Sequence, residues 1–452
     1  VAASATNSLR AAVLADSDTR WKWGALTAQR VAPAGAAVRL DGYLLRGRAT
    51  PTPRQLTEVG VRADSLREVS AAEFLHGLRQ DTAAEPYDLL VLALVGGGVQ
   101  AVLHGLRHTW QGAARRPVVV TGYVGVVYEK LTDGLLLRHG ADLVLANSRQ
   151  DAERFRAVYE GVGADAAAVT EAALPFLGGA PYTGAHDPYT VVFAAQPSVP
   201  ESRRDRAYLL ERLIRHARLH PGREVLLKLR SKPGEHTTHI EELPYQKLAR
   251  RLTLPPNLRL VHGHMGEVLD RTDLLVTVSS TAALEALHRR VPTAVLTDLG
   301  VREALGNHHF TGSGCLASWD RLDAGYRPVP EEDWLARQGV APGGAPAGPG
   351  TPGEDAYATA FDEAREKIAG LLGERGALPP LAPYYTPTTA PGYLPGLLAR
   401  HHLGPDGAPL PGAPAAGREP GAVRRTLRRA ARGAYRHGVQ RVAPVIRRMG
   451  EL

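Results

Sequence analysis

The sequence of 452 residues predicts an α/β protein made of two Rossmann-like halves, and three observations carry that prediction. Short apolar runs rich in β-branched residues recur between residues 9 and 297, separated by helical patterns, as in βαβ units with a covered parallel sheet. The alternation stops at a Gly/Pro-containing connection, 177–188, and then restarts. Several of the apolar runs end directly in glycine, hydroxyl or charged clusters, where open α/β sheets place their ligands.

Taken in order, 9–15 is a strand leading into Asp16-Ser17-Asp18-Thr19-Arg20-Trp21-Lys22-Trp23-Gly24. Residues 36–40 form a second strand, 66–78 a helix, and 88–95 a buried strand ending at Gly96-Gly97-Gly98. A helix over 100–110, the strand 117–121, the turn Gly122-Tyr123-Val124-Gly125, another helix and the strand 141–146 follow. Asn147-Ser148 then caps a helix. Past the connection, 189–194 is a strand, 205–220 a helix, and 224–229 and 258–261 are strands. His262-Gly263-His264 opens a helix over 265–271, and the strand 274–278 feeds the next helix through Ser279-Ser280-Thr281. The last strand is 292–297.

The expected domains are 1–180 and 181–335, both Rossmann-like and facing an interdomain cleft, then a mobile insert with a helix at 336–376 and a tail at 377–452. Residues 378–420 are Pro-rich and read as extended or disordered. In the tail, Val423, Leu427, Ala431, Ala434 and Val439 share one side among arginines. Such a basic amphipathic helix can lie on an anionic membrane surface; a solvated or disordered tail is the competing reading.

Composition narrows the function classes. The formal charge of +8 comes almost wholly from arginine and is concentrated near the end, so a nucleic-acid partner is not expected. One cysteine, Cys315, excludes a disulfide framework and a Cys-rich zinc site. The adjacent His308 and His309 have no third ligand nearby, and no metal is expected. The longest apolar run, 89–99, is too short to span a bilayer, and no signal segment is visible. A cytoplasmic protein, peripheral on the inner face of the membrane through its tail, fits these features.

The segment 274–287 is the most informative. Its strand ends in consecutive hydroxyl residues at the start of a helix, whose unpaired N–H groups and dipole suit a phosphate. Ser279, Ser280 and Thr281 are therefore candidate phosphate ligands, although serine is also an ordinary cap. Lys228 and Arg230 alternate at the end of another strand and can neutralise a departing nucleotide. Glu235, His236 and His239 follow, suited to hydroxyl contacts or proton handling. Asp16 and Asp18, just past the first strand, are both candidates for a general base, and both also suit an Asx-type turn. Trp21 and Trp23 either stack on a sugar or pack as core. Gly96-Gly97-Gly98 lacks the dinucleotide spacing.

On these residues the chain resembles GT-B glycosyltransferases, over about residues 9 to 330, above all at 279–287. It is similar to an uncharacterised glycosyltransferase family of high-GC Gram-positive bacteria and, more distantly, to capsule-type and sialyltransferase-like enzymes. The resemblance implies an inverting, metal-independent enzyme with no cofactor. Its substrates would be a nucleotide-sugar donor and a glycan or lipid-linked acceptor of the cell envelope or an exopolysaccharide. It places Glu285, in Leu284-Glu285-Ala286, on the donor ribose, and His262 and Gly263 beside the base. Lys232-Pro233 stands where those enzymes carry His-Pro, and their acidic motif is not reproduced around Asp16 and Asp18. A sugar-nucleotide 2-epimerase, an alditol-phosphate transferase and a non-catalytic scaffold share the fold.

Overall fold

The computed structural model describes residues 8–81, 86–126, 128, 130–232, 235, 241, 243–340, 357–374 and 378–411. They form two compact units: one holds the chain to Pro51, Val59–Phe176 and the segment from Tyr357, the other Thr52–Glu58 and the segment from Leu177. No helix among the described residues is long and apolar enough to cross a membrane.

The first unit alternates strands and helices: β1 (Ser8–Ala15), α1 (Asp18–Arg30), β2 (Ala37–Leu45), β3 (Ser65–Val69), α3 (Ala71–Asp81), β4 (Leu89–Ala93), α4 (Gly96–Thr109), β5 (Val118–Gly122), α5 (Leu131–Leu136), β6 (Leu143–Ala146), α6 (Arg149–Gly161) and β7 (Val169–Glu171). Helix α2 (Pro53–Val59), encoded between β2 and β3, packs with the other unit through Thr52–Glu58. The sheet order is β3-β2-β1-β4-β5-β6-β7, with every pair parallel. The central strands β4 and β5 are buried throughout, because helices cover both faces of the sheet. Leu14, Leu90 and Leu92 pack with Phe74, Val102 and Leu106 in the core, each fully buried leucine contributing about 1.5–3 kcal/mol.

Two expectations are corrected in this unit. Residues 66–78 are not one helix: Ser65–Val69 is the edge strand, in register from Asp41↔Ser65 to Leu45↔Val69. Its mostly exposed residues gave no apolar run to read. Ser70 ends the strand by a capping box, accepting from Glu73 N (3.2 Å) while its own N–H donates to Glu73 Oε2 (2.6 Å). The described part of the Pro-rich segment, 378–411, is folded. Its helix Leu394–Arg400 buries Leu394, Leu397 and Leu398. Arg116 Nε donates to Pro379 O (3.1 Å), and the His104 ring lies 2.9 Å from Tyr385 O. These buried polar groups need carbonyl partners, and the Pro-rich chain supplies them. The Arg-rich tail and most of the 338–353 insert lie outside the described residues.

The second unit continues with β8 (Thr190–Ala194), α7 (Arg203–Leu219), β9 (Glu224–Lys228), α8 (Tyr245–Ala249), β10 (Leu258–Val261), α9 (Met265–Leu269), β11 (Leu274–Thr277), α10 (Ala282–His288), β12 (Thr293–Leu296), β13 (Leu316–Ala317), α11 (Trp319–Asp323) and α12 (Glu332–Arg337). Its sheet order, β10-β9-β8-β11-β12-β13, is again parallel. Read as 3-2-1-4-5-6, this is the Rossmann order, and the first six strands of the other sheet repeat it. The histidine-containing loop after β12 is anchored to the core by Asn307, whose Nδ2 donates to Leu296 O (3.0 Å) and Gly300 O (2.8 Å), and by the buried Phe310, while His308 is exposed.

Candidate functional site

In a Rossmann sheet the connections leave β8 and β11 in opposite directions, opening a crevice at the carboxyl ends of those strands. Gln196, two residues past β8, spans this point: its Oε1 accepts from Ser279 N (2.9 Å) and its Nε2 donates to Ser279 Oγ (3.1 Å). Ser279 Oγ donates in turn to Leu305 O (2.6 Å). The Ser279 hydroxyl, expected to hold phosphate, instead ties three loops together and is buried. Ser280 Oγ accepts from Ala282 N (3.2 Å) and Thr281 is the N-cap of α10, both half-buried. Glu285 is one turn into α10 and nearly buried.

The exits of the neighbouring strands β9 and β10 gather most of the charged candidates. Lys228 ends β9, buried, with Nζ donating to Leu229 O (2.9 Å) and lying 3.5 Å from Glu58 Oε1. Burial pushes the Lys228 amine below its usual range, against the pull of Glu58. Glu58 Oε1 also accepts from Gly263 N (2.5 Å), just past β10. Gly263 has φ +115°, the region that favours glycine, with open space where a side chain would start.

Arg54, one turn before Glu58, pairs with Glu58 and with both oxygens of Glu235; its Nε donates to Glu235 Oε1 at 2.6 Å. Thr52 Oγ1 (3.1 Å) and Lys232 N (2.8 Å) complete the Glu235 shell. Burial works to raise the Glu235 carboxyl, but the Arg54 hydrogen bond and these donors hold it below the usual range. His262 lies 3.4 Å from Ser231 O, its imidazole lowered first by burial and further by Arg54 and Lys228. Arg230 follows on the same strand exit, half-buried. Thus Lys228, Glu235, His262 and Gly263 come together, while Ser279–Thr281 and Glu285 belong to the β11 exit. His236 and His239 lie outside the described residues.

Arg54 and Glu58 escaped the sequence reading because their partners are distant along the chain, 181 residues away for Arg54 and Glu235. A local signal for their helix was present. Thr52-Pro53-Arg54-Gln55 is a capping box, Gln55 N donating to Thr52 Oγ1 (3.3 Å) and Thr52 N to Gln55 Oε1 (2.9 Å).

In the first unit, Asp16 follows β1. Its Oδ1 pairs with Arg20 (2.9 Å) and its Oδ2 accepts from Val95 N (2.9 Å), fixing it beside the β4 exit. Asp18 Oδ1 turns back to Thr19 N (2.8 Å), and Ser17 rather than either aspartate caps α1. Trp21 and Trp23 are core residues, each 1 % exposed, so neither is a sugar platform. Gly122 permits this, since a β-carbon there would lie 2.8 Å from the Trp23 ring. The triple glycine forms the first turn of α4 and packs against Leu137 and Leu94.

Among the described residues, His216, His220 and Asp323 have the spacing of metal ligands. Arg212 (3.1 Å) and Arg215 (3.8 Å) already share the Asp323 carboxylate, and Arg223 lies 3.3 Å from His216 Nε2, so added positive charge is opposed. A cavity of about 680 Å³ lined by Arg79, His108, Trp110 and Arg115 lies by the C-terminal end of α4, the end away from the strand exits.

Two parallel sheets in Rossmann order, with helices between their strands, define an α/β protein of Rossmann-like fold. Residues 11–348 match the family described as "Putative glycosyltransferase (DUF6716)"; the chain belongs to that family and is a glycosyltransferase. No curated protein matches it. Among solved structures it is similar to the glycotransferase of kitacinnamycin, at 15% identity and TM-score 0.42 over 82% of this chain and 99% of that one. A putative UDP-N-acetylglucosamine 2-epimerase from Listeria monocytogenes gives 12% and 0.49 over 83% and 98%. The spinosyn rhamnosyltransferase gives 13% and 0.40 over 80% and 96%.

Proposed function

We propose that the chain is an inverting, metal-independent GT-B glycosyltransferase, with a nucleotide-activated sugar held at the strand exits of the second unit. The acceptor is a glycan or lipid-linked glycan of the cell envelope or an exopolysaccharide, reached on the inner face of the membrane with help from the basic tail. One observation carries this reading: Lys228, Arg54 and the Gly263 N–H surround a single anionic position at the exits of β9 and β10. Fixed cations and an N–H there stabilise the charge that develops on a leaving nucleotide, the task a metal performs elsewhere. Glu285, His262, Ser280 and Thr281 are assigned to the remainder of the donor, and Ser279 to the shape of the loop they share.

Inversion needs one displacement by an activated hydroxyl, and Asp16 is the assigned base. It stands at the strand end with its carboxylate oriented by Arg20 and Val95 N–H, whereas Asp18 is buried.

Thermal unfolding of the full chain with a panel of nucleoside mono- and diphosphates tests the reading. One nucleotide at about a hundredfold excess over its dissociation constant stabilises the protein by about 2.7 kcal/mol. The shift survives a chelator and is absent in Lys228→Met. No stabilisation by any nucleotide overturns the reading. Turnover of a sugar nucleotide without an acceptor assigns an epimerase instead.

A further inference from the structure

The carboxylate of Glu58 occupies the anion position described above. Its Oε1 takes the Gly263 N–H at 2.5 Å and faces Lys228 Nζ at 3.5 Å, while its other oxygen pairs with Arg54. An acidic side chain gripped by a backbone N–H, an amine and a guanidinium has the surroundings of a bound phosphate oxygen. Within this group Arg54 and Lys228 balance Glu58 and Glu235. Remove Glu58 from the sum and one positive charge is left without a counter-ion.

Glu235 differs from Glu58. It accepts from Arg54, Thr52 Oγ1 and Lys232 N, and its bonds to Arg54 keep that guanidinium in place without Glu58. Glu58 stands on α2, a helix of seven residues, so its retreat disturbs little packed structure. Gly263 has open space beside it, leaving room for a larger anion.

We infer that Lys228, Arg54 and the Gly263 N–H form a self-occupied oxyanion subsite, in which Glu58 stands in for a phosphate group and must be displaced before a nucleoside diphosphate binds. The inference rests on the donor reading above and adds the competing residue. Glu58 then sets donor affinity by competition, and it holds the cations paired while the site is empty.

Calorimetric titration of the full chain compares the wild type, Glu58→Gln, and Glu58→Gln combined with Lys228→Met. The probes are inorganic pyrophosphate and, separately, the diphosphates of uridine, guanosine, cytidine, thymidine and adenosine. Glu58→Gln keeps the side-chain shape and removes the competing charge, so pyrophosphate binds about tenfold more tightly. The gain vanishes when Lys228→Met is added. A folded Glu58→Gln variant that binds pyrophosphate no better than the wild type overturns the inference.

Hydrogen exchange on the wild type gives a second measurement that needs no variant. Saturating pyrophosphate speeds exchange over 52–58 as Glu58 is released, and unchanged or slower exchange there overturns the inference. The two readings fail separately. A nucleoside diphosphate that binds the wild type and binds Glu58→Gln no better removes the self-occupied subsite and leaves the donor site. Tighter pyrophosphate binding with no nucleotide bound by either protein does the reverse.

Discussion

Ser279→Ala separates a loop-tying serine from a ligand-binding one. Ser279 Oγ donates to Leu305 O at 2.6 Å and accepts from Gln196 Nε2 at 3.1 Å, both in a buried setting. Alanine leaves the Leu305 carbonyl and the Gln196 amide without that partner, at a cost of about 2 kcal/mol. For a unit of this size the loss lowers Tm by roughly 4 to 8 °C. Ser280→Ala removes only the bond from Ala282 N and costs about 1 kcal/mol or less. Urea and thermal unfolding, each repeated with the best-binding nucleotide, give stability and affinity for both variants. Ser279→Ala is expected to lose stability, and Ser280→Ala to lose affinity at near-native stability. If Ser279→Ala unfolds like the wild type but binds nucleotide poorly, its hydroxyl faces the ligand and the loop-tying argument fails.

Two further predictions concern the second unit. Burial pushes the His216 imidazole down to about 4, with the Asp323 hydrogen bond opposing and His220 and Arg223 adding to the effect. The unfolded chain takes up this proton near 6.5, so stability falls as the pH drops from about 6.5 to about 4. His216→Gln flattens that slope in a series of urea midpoints, and an unaltered slope refutes the assignment. Gly263→Ala places a side chain at φ +115° with no clash to relieve, so its effect is backbone strain of about 1–3 kcal/mol and a turned N–H. Equal stability and equal pyrophosphate affinity in that variant would show that the Gly263 N–H is not held in place by its φ.

The strands that read clearly are the ones buried on both faces. β4, β5, β8 and β11 are continuous apolar runs, and their alternation with helices already implied two parallel sheets. The edge strand β3 did not read, because Ser65-Leu66-Arg67-Glu68-Val69 meets solvent and carries no apolar pattern. The Pro-rich segment misled for another reason. Proline marks a chain that makes no ladder of its own, and says nothing about whether Arg116 and His104 elsewhere need its carbonyls.

At the site, residue types and strand ends were legible: Lys228 ends β9, Glu235 lies in the connection after it, and His262 and Gly263 directly follow β10. Pairing was not. Hydrogen bonds and ion pairs act over a few ångströms and are indifferent to chain separation, so no local pattern joins Arg54 and Glu58 to β9 and β10. Nor could sequence tell that Ser279 turns inward while Thr281 takes the N-cap of α10, since direction depends on which carbonyl lies within reach. Composition and periodicity, being local, determined the architecture and the ends of the strands where chemistry gathers. Tertiary structure alone decided which charges meet there, because only folding brings distant side chains within bonding distance.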